Sequence, residues 1–192
     1  MSRTPSASAH RKVLEAGLRL VAERGVDGTS MDAIAELSGV SKATIYKHWS
    51  DKDALLLELM ADVNGLHLRP KFDSGDIRAD LFAVLSYRPH ERADVRERIM
   101  PQFMAYSARN PSFGDAWRAM VMEPPRQELR KLLKRGIEKG ELSAELDPEL
   151  SLALLLGPII YWYIFLRRSA KNPKALAKGV VDAFWKAFGS PR

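Results

Sequence analysis

Apolar residues recur at helical spacing along almost the whole chain, and alternating runs of β-branched residues are few. This periodicity predicts an all-α protein. Longer helices are expected at about residues 9–24, 51–68, 77–88, 93–109, 112–123, 125–139, 148–169 and 173–188. The pair Pro124-Pro125 predicts a break or a kink, because proline has no amide hydrogen to donate.

Between the first two long helices, the sequence predicts two short ones separated only by Ser38-Gly39-Val40. Ser30 and Ser41 each stand where a serine side chain caps the start of a helix, and Gly39 permits a left-handed backbone. Two short helices joined by a turn of about three residues form a helix-turn-helix. We therefore place such a motif at about residues 30–49.

The second short helix combines an apolar side with a polar side that has no acid. Ile45 and Trp49 are four residues apart and are expected to face inward. No Asp or Glu occurs from Leu37 to Ser50. A carboxylate in this stretch would repel a DNA phosphate, at a cost of about 1 kcal/mol or more. Small residues at the helix start would allow close approach to the floor of the major groove. These residues are Ser41, Lys42, Ala43 and Thr44.

The charge of the chain is compatible with a nucleic-acid partner but does not specify one. The net charge is +6 and the isoelectric point is near 9.6. Residues 1–60 carry eight bases and eight acids, so DNA binding would depend on where the charges lie. A second acid-free stretch is the N-terminal tail, with Arg3, His10, Arg11 and Lys12.

The segment GVDGTSMDAIAELSGVSKATIYKHWSDKDALLLELM resembles the N-terminal DNA-binding domain of TetR-type (TetR/AcrR) transcriptional repressors. The resemblance covers roughly residues 9–60. The matching positions are Gly25, Thr29-Ser30, Ile34-Ala35, Gly39, Ser41-Lys42, Ile45-Tyr46, His48-Trp49 and Lys52. Two positions depart from the family pattern, since Trp49 stands where Phe is usual and Ala43 where Gly is common.

The resemblance implies roles for individual residues at the DNA. Four residues are carried over as candidate base or groove contacts: Lys42, Ala43, Thr44 and Lys47. Four others are candidate phosphate contacts: Ser30, Tyr46, His48 and Lys52. Ser41 completes the predicted DNA-binding set as the residue that opens the second helix.

A loop rich in Pro, Gly and Asp at residues 69–76 predicts a boundary between two domains. We expect a DNA-binding domain at residues 8–68 and a helical effector-binding and dimerisation domain at residues 69–192. The most apolar segment, at residues 151–166, falls short of the roughly 18–20 apolar residues that span a bilayer. A helix buried on two sides is the favoured interpretation, with membrane insertion as the alternative.

The last two predicted helices favour a homodimer. The final helix is amphipathic, and two such helices from each of two chains would form a four-helix bundle. The resemblance implies the same, because that family dimerises through its last two helices. The predicted interface residues are Leu155, Ile159, Trp162, Val181 and Phe184. The alternative is that both helices only close a core within one chain.

The resemblance also implies a small-molecule effector, although no ligand contact can be carried over by position. Flexible methionines and broad aromatic side chains suit a pocket for apolar molecules. The candidate pocket residues are Phe103, Trp117, Met120 and Trp162. Ordinary core packing is the alternative role for these residues.

We predict a dimeric, cytoplasmic transcriptional repressor that a small apolar ligand releases from a palindromic DNA operator. The alternative is a helix-turn-helix DNA-binding protein without a small-molecule inducer, controlled by a protein partner. No HExxH, Gly-rich phosphate loop or GxSxG motif occurs, so we expect neither enzymatic activity nor a metal or cofactor. No membrane association is expected.

Overall fold

A computed structural model of the chain describes residues 5–87, 93–164 and 173–190. These residues contain ten α-helices and no strand, so the predicted all-α class is confirmed. The helices are α1 (Pro5–Arg24), α2 (Met31–Ser38), α3 (Lys42–Tyr46), α4 (Lys52–Val63), α5 (Ile77–Ser86), α6 (Ala93–Arg109), α7 (Pro111–Trp117), α8 (Glu123–Glu138), α9 (Pro148–Ile164) and α10 (Pro173–Phe188). Within the described part of the chain, no helix is long and apolar enough to cross a membrane.

Two helices of the N-terminal segment end earlier than the sequence predicts. α3 stops at Tyr46 rather than near Trp49, and the amide groups of His48 and Trp49 then both donate to the carbonyl of Ile45 in a closing turn. α4 stops at Val63 instead of residue 68. Gly65 then takes a left-handed backbone with φ of 59°, and a short 3₁₀ turn follows.

The Pro124-Pro125 pair lies in the first turn of α8. A proline in the first turn of a helix sacrifices no intrahelical hydrogen bond, so the pair can begin a helix there. The irregularity lies just before it, as a five-residue π-helical segment at Arg118–Met122. The expected break is therefore a change of helix type between α7 and α8.

The described residues form two compact units, and each unit combines segments that are separated along the chain. The first unit contains residues 5–67 and 93–121, and the second contains residues 68–87, 122–164 and 173–190. The predicted boundary at residues 68 and 69 lies next to the first crossing between the units. Residues 93–121 belong to the first unit, because α6 packs against α1 and α7 against α4. The predicted domain bounds, residues 8–68 and 69–192, stay a prediction.

The second unit has its own apolar core, built by α5, α8, α9 and α10. Leu155, Val181 and Phe184 are buried in this core, and Ile159 is only 9% exposed. The side chains of these four residues pack within one chain, because this side of α9 and α10 covers α5 and α8. Their contact with a second chain stays a prediction.

Candidate nucleic-acid interface

The helix-turn-helix is held by the local contacts that its sequence predicts. The Ser30 side chain accepts a hydrogen bond from the Ala33 amide, 3.2 Å away, and so caps α2. Gly39 follows α2 with φ of 66° and donates its amide to the carbonyl of Ala35. Ser41 caps α3 by accepting from the Thr44 amide. Each contact satisfies a backbone group that a helix end leaves without a partner.

The inner side of α3 and its closing turn is fixed by two buried residues. Ile45 is 1% exposed and Trp49 is 2% exposed. The Trp49 indole also donates from Nε1 to Glu58 Oε2 on α4, at 2.7 Å. These anchors leave the intervening side chains on the outside, where Tyr46 is 51% exposed and Lys47 and His48 are exposed.

The start of α3 also faces outward, but two of its hydroxyl groups bond to each other. The oxygens of Ser41 and Thr44 are 2.9 Å apart. Ser41, Lys42 and Ala43 are exposed, and Thr44 is half-buried. The outer surface formed by residues 41–48 therefore offers hydroxyl, ammonium, phenol and imidazole groups, the donors that DNA phosphates and base edges accept from.

An acid from α2 reaches this surface, although the sequence window around it is acid-free. Lys42 Nζ lies 2.6 Å from Asp32 Oδ1. The hydrogen bond to Asp32 raises the pKa of the Lys42 ammonium above its ordinary value. Since both groups are exposed, a phosphate would compete with Asp32 for the same cation.

Lys52 is less available than its sequence position indicates. Its Nζ donates to the Val26 carbonyl at 3.3 Å and lies 5.3 Å from the centre of the Tyr106 ring. The amide groups that open α4 have a carboxylate of their own, because Asp51 caps them by accepting from Ala54 at 2.8 Å. That bond is the main reason why the pKa of Asp51 lies below its usual range.

The comparisons with known proteins agree over both parts of the chain. Residues 13–59 match the family of bacterial regulatory proteins called the tetR family, and residues 72–184 match the tetracyclin repressor-like C-terminal domain. The HTH-type transcriptional regulator YdeS of Bacillus subtilis is 31% identical over 159 residues, which cover 83% of this chain and 80% of YdeS. This chain belongs to the TetR family of transcriptional regulators.

Other proteins resemble this chain in sequence or in fold at lower identity. A DNA-binding transcriptional repressor called TetR from Mycobacteroides abscessus is 27% identical over 72% of this chain and 73% of its own length. A crystal structure of a TetR-family regulator from Mesorhizobium loti superposes with a TM-score of 0.71 at 25% identity, covering 98% of this chain and all of that one. The regulator FadR of Bacillus subtilis, solved in complex with stearoyl-CoA, superposes with a TM-score of 0.73 at 18% identity, covering 91% and 97%.

The candidate effector residues of this TetR-family protein differ in their surroundings. Phe103 and Trp117 are buried in the first unit, where Phe103 packs against Phe113 with ring centres 6.2 Å apart. Met120, in the same unit, is 57% exposed. Trp162 belongs to the second unit and is half-buried.

The sequence did not predict that two residues on other helices support the turn that follows α3. Glu58 and His10 lie on α4 and α1, and each contacts Trp49. Their separation from Trp49 along the chain follows no short motif, so no local signal identifies them. The described residues contain no group of three or more His, Cys, Asp or Glu side chains that could hold a metal ion.

Proposed function

We propose that this TetR-family regulator is a dimeric repressor that a small apolar ligand releases from a palindromic operator. The observation that carries the DNA-binding part is the outward display of Tyr46, Lys47 and His48 between two buried anchors, Ile45 and Trp49. A helix held from behind keeps its outer side chains in place when it enters a groove, which reduces the entropy lost on binding.

The proposed contacts divide into two classes. Lys42, Ala43, Thr44 and Lys47 are assigned to base edges or the groove floor. Ser30, Tyr46 and His48 are assigned to phosphates, where a single donor is enough. Lys52 is also assigned to a phosphate, because its ammonium has three N–H donors and the bond to the Val26 carbonyl uses only one of them.

The Lys47→Ala variant tests this division. If Lys47 touches a phosphate, we expect weaker binding to every duplex and a salt dependence shallower by up to about one unit of slope. If it reads a base, sequence preference changes instead. Lys131→Ala is the matched control, because Lys131 is an exposed lysine on α8 in the second unit. A variant indistinguishable from the control would contradict both roles.

Dimerisation is assigned to the outer side of α9 and α10. An apolar groove of about 540 Å³ runs between these helices, lined by Leu154, Pro158, Ala175, Leu176, Gly179, Val180, Ala183, Phe184, Ala187 and Phe188. Leu154, in this groove, is 43% exposed, and Tyr161, also on α9, is 56% exposed. A surface of this kind favours a protein partner. A second copy would bring two recognition helices to half-sites about 34–36 Å apart, as a palindrome requires.

The effector is assigned to the region of α6 and α7. Two buried polar atoms there have no hydrogen-bond partner among the described residues, namely Trp117 Nε1 and Gln102 Oε1. A buried unsatisfied polar atom typically costs about 1–3 kcal/mol, which a bound ligand group could recover. An apolar ligand carrying one acceptor would suit the indole. It would act by binding more tightly to a conformation that does not fit the operator.

One experiment tests the whole proposal. Duplexes that bind the purified protein are selected from a random pool, and the selection is repeated with a library of apolar metabolites. A palindromic consensus supports a dimeric regulator, and a metabolite that raises the melting temperature while abolishing binding supports the effector. Binding that responds only to added protein supports the alternative, control by a protein partner. No enriched duplex would contradict DNA binding.

A further inference from the structure

We infer that Glu58 on α4 is a positioning residue for the recognition segment, residues 42–48, and that it acts through the indole N–H of Trp49. This inference rests on the proposed DNA-binding function. It concerns sequence specificity, because Glu58 holds the segment that would read DNA and is not itself assigned a contact with it.

The carboxylate of Glu58 joins three helical elements of the first unit. One oxygen, Oε2, accepts the Trp49 indole hydrogen, with the oxygen and Nε1 2.7 Å apart. The other oxygen, Oε1, lies 2.8 Å from Nε2 of His10 on α1. The His10 ring in turn stacks on Trp49, with centres 4.7 Å apart and planes inclined by 27°.

The Trp49 indole is therefore fixed by stacking on its face, by a hydrogen bond at its nitrogen and by burial. A buried aromatic ring without the N–H could still change its orientation. The bond to Glu58 fixes the ring orientation, because hydrogen bonds weaken steeply when they depart from a line. Trp49 follows His48 directly, and His48 also lies 5.6 Å from both the His10 and Trp49 rings. Orientation at position 49 thus controls where Tyr46, Lys47 and His48 point.

The charge on Glu58 gives this arrangement a further consequence. The side chain is 43% exposed, and a free carboxylate close to a DNA surface would repel phosphates. The Trp49 indole and the His10 imidazole each contact one of its oxygens, so the negative charge lies against these two rings. Removing the charge alone should strengthen binding to any duplex, whereas removing the bond to Trp49 should reduce discrimination between duplexes.

The readout is therefore a ratio, the affinity for the selected duplex divided by the affinity for a scrambled one. Glu58→Leu removes the acceptor, and Trp49→Phe removes the donor while it keeps an aromatic ring. We expect each variant to lower the ratio at least about tenfold, which corresponds to the lower end of the contribution of a hydrogen bond to a charged group. Glu58→Gln keeps an acceptor oxygen and is expected to stay within about twofold of wild type.

The double variant separates positioning from two independent losses. If both residues act through one bond, Glu58→Leu with Trp49→Phe lowers the ratio no further than either change alone. Glu15→Leu serves as the control, since Glu15 is an exposed acid on α1, and its ratio should equal that of wild type. Circular dichroism and melting temperature establish that each variant is folded.

Four outcomes would overturn the inference: an unchanged ratio in Trp49→Phe, an unchanged ratio in a folded Glu58→Leu, a loss in Glu58→Gln as large as in Glu58→Leu, or losses that multiply in the double variant. Should Glu58→Leu not fold, the Trp49→Phe ratio alone decides. A wild-type protein that prefers no duplex would instead refute the proposed function, and the two failures are thereby distinguished.

Discussion

Tyr106 on α6 donates its hydroxyl hydrogen to Asp53 on α4, with the two oxygens 2.9 Å apart inside the first unit. The Tyr106 ring also lies beneath the ammonium of Lys52. Nearby, Arg109 on α6 pairs with Asp27 in the turn after α1. Through these contacts, α6 holds the start of α4, the helix that follows the recognition segment.

The phenol of Tyr106 should make stability depend on pH in the alkaline range. Burial, followed by the bond to Asp53, raises the pKa of Tyr106 from 10.0 to about 12. Between these values the unfolded chain loses the proton while the folded protein keeps it, so the free energy of unfolding falls as pH rises. Below pH 10 both states are protonated and this loss is absent. Between pH 10 and pH 12, we expect the free energy of unfolding of Tyr106→Phe to rise by about 2 kcal/mol relative to that of wild type.

Urea denaturation of both proteins at several alkaline pH values measures this difference. Comparison with Tyr106→Phe removes the common contribution of lysines, which titrate in the same range. A constant gap between wild type and variant across that range would refute the raised pKa.

Gly39 should tolerate Asn better than Ala. Its φ of 66° is left-handed, a region where most L residues are strained. No atom lies within 4 Å of the position that a Cβ would occupy, so the backbone conformation is the only obstacle. We expect Gly39→Ala to lower the free energy of unfolding by about 1–2 kcal/mol and Gly39→Asn by less. Equal losses on chemical denaturation would show that crowding, not backbone conformation, decides.

Asp32 should restrain binding of Lys42 to DNA. The two side chains form an exposed ion pair that a phosphate or a base would have to displace. We expect Asp32→Asn to strengthen binding and to steepen its salt dependence by up to about one unit of slope. Fluorescence anisotropy at several salt concentrations measures both quantities.

The control for Asp32→Asn is Glu36→Gln. Glu36 is an exposed acid on the same helix and has no ion pair with a described residue. The Glu36→Gln substitution removes the same unit of charge as Asp32→Asn but does not free a lysine from an ion pair. An equal gain in both variants would mean that net charge, and not the pair with Lys42, limits binding.

One substitution in the last helices should break the dimer and leave the fold intact, and another should destabilise the fold. Ala183 is exposed and lines the apolar groove, so Ala183→Glu should give folded monomers. Leu155 is fully buried within one chain, so Leu155→Ala should destabilise the second unit by about 2–5 kcal/mol. Sedimentation velocity and thermal denaturation distinguish the two effects.

Ala144→Glu, at an exposed position between α8 and α9, provides the control for added charge. If Ala183→Glu and Ala144→Glu both sediment as dimers, the groove between α9 and α10 is not the interface. A Glu substitution at Leu155 would not test the interface, because it would place a charge in the core of a single chain.

Local rules predicted much of the DNA-binding motif correctly. The two serine caps, the left-handed glycine and the buried pair Ile45 and Trp49 all follow from residues within four positions of each other. Contacts between distant helices were not predictable in this way. Lys52 and Tyr106 are far apart in sequence, and nothing near either residue indicates the other.

The amino-acid sequence by itself determined that this chain is helical, where its helices are capped and which short helix carries donors without acids, because backbone hydrogen bonding and helical periodicity are properties of neighbouring residues. Tertiary structure alone decided that Lys42 pairs with Asp32 and that Leu155 faces its own chain. The physical reason is that a long side chain, or a helix apolar on two sides, has several favourable partners. Packing of remote elements selects among them.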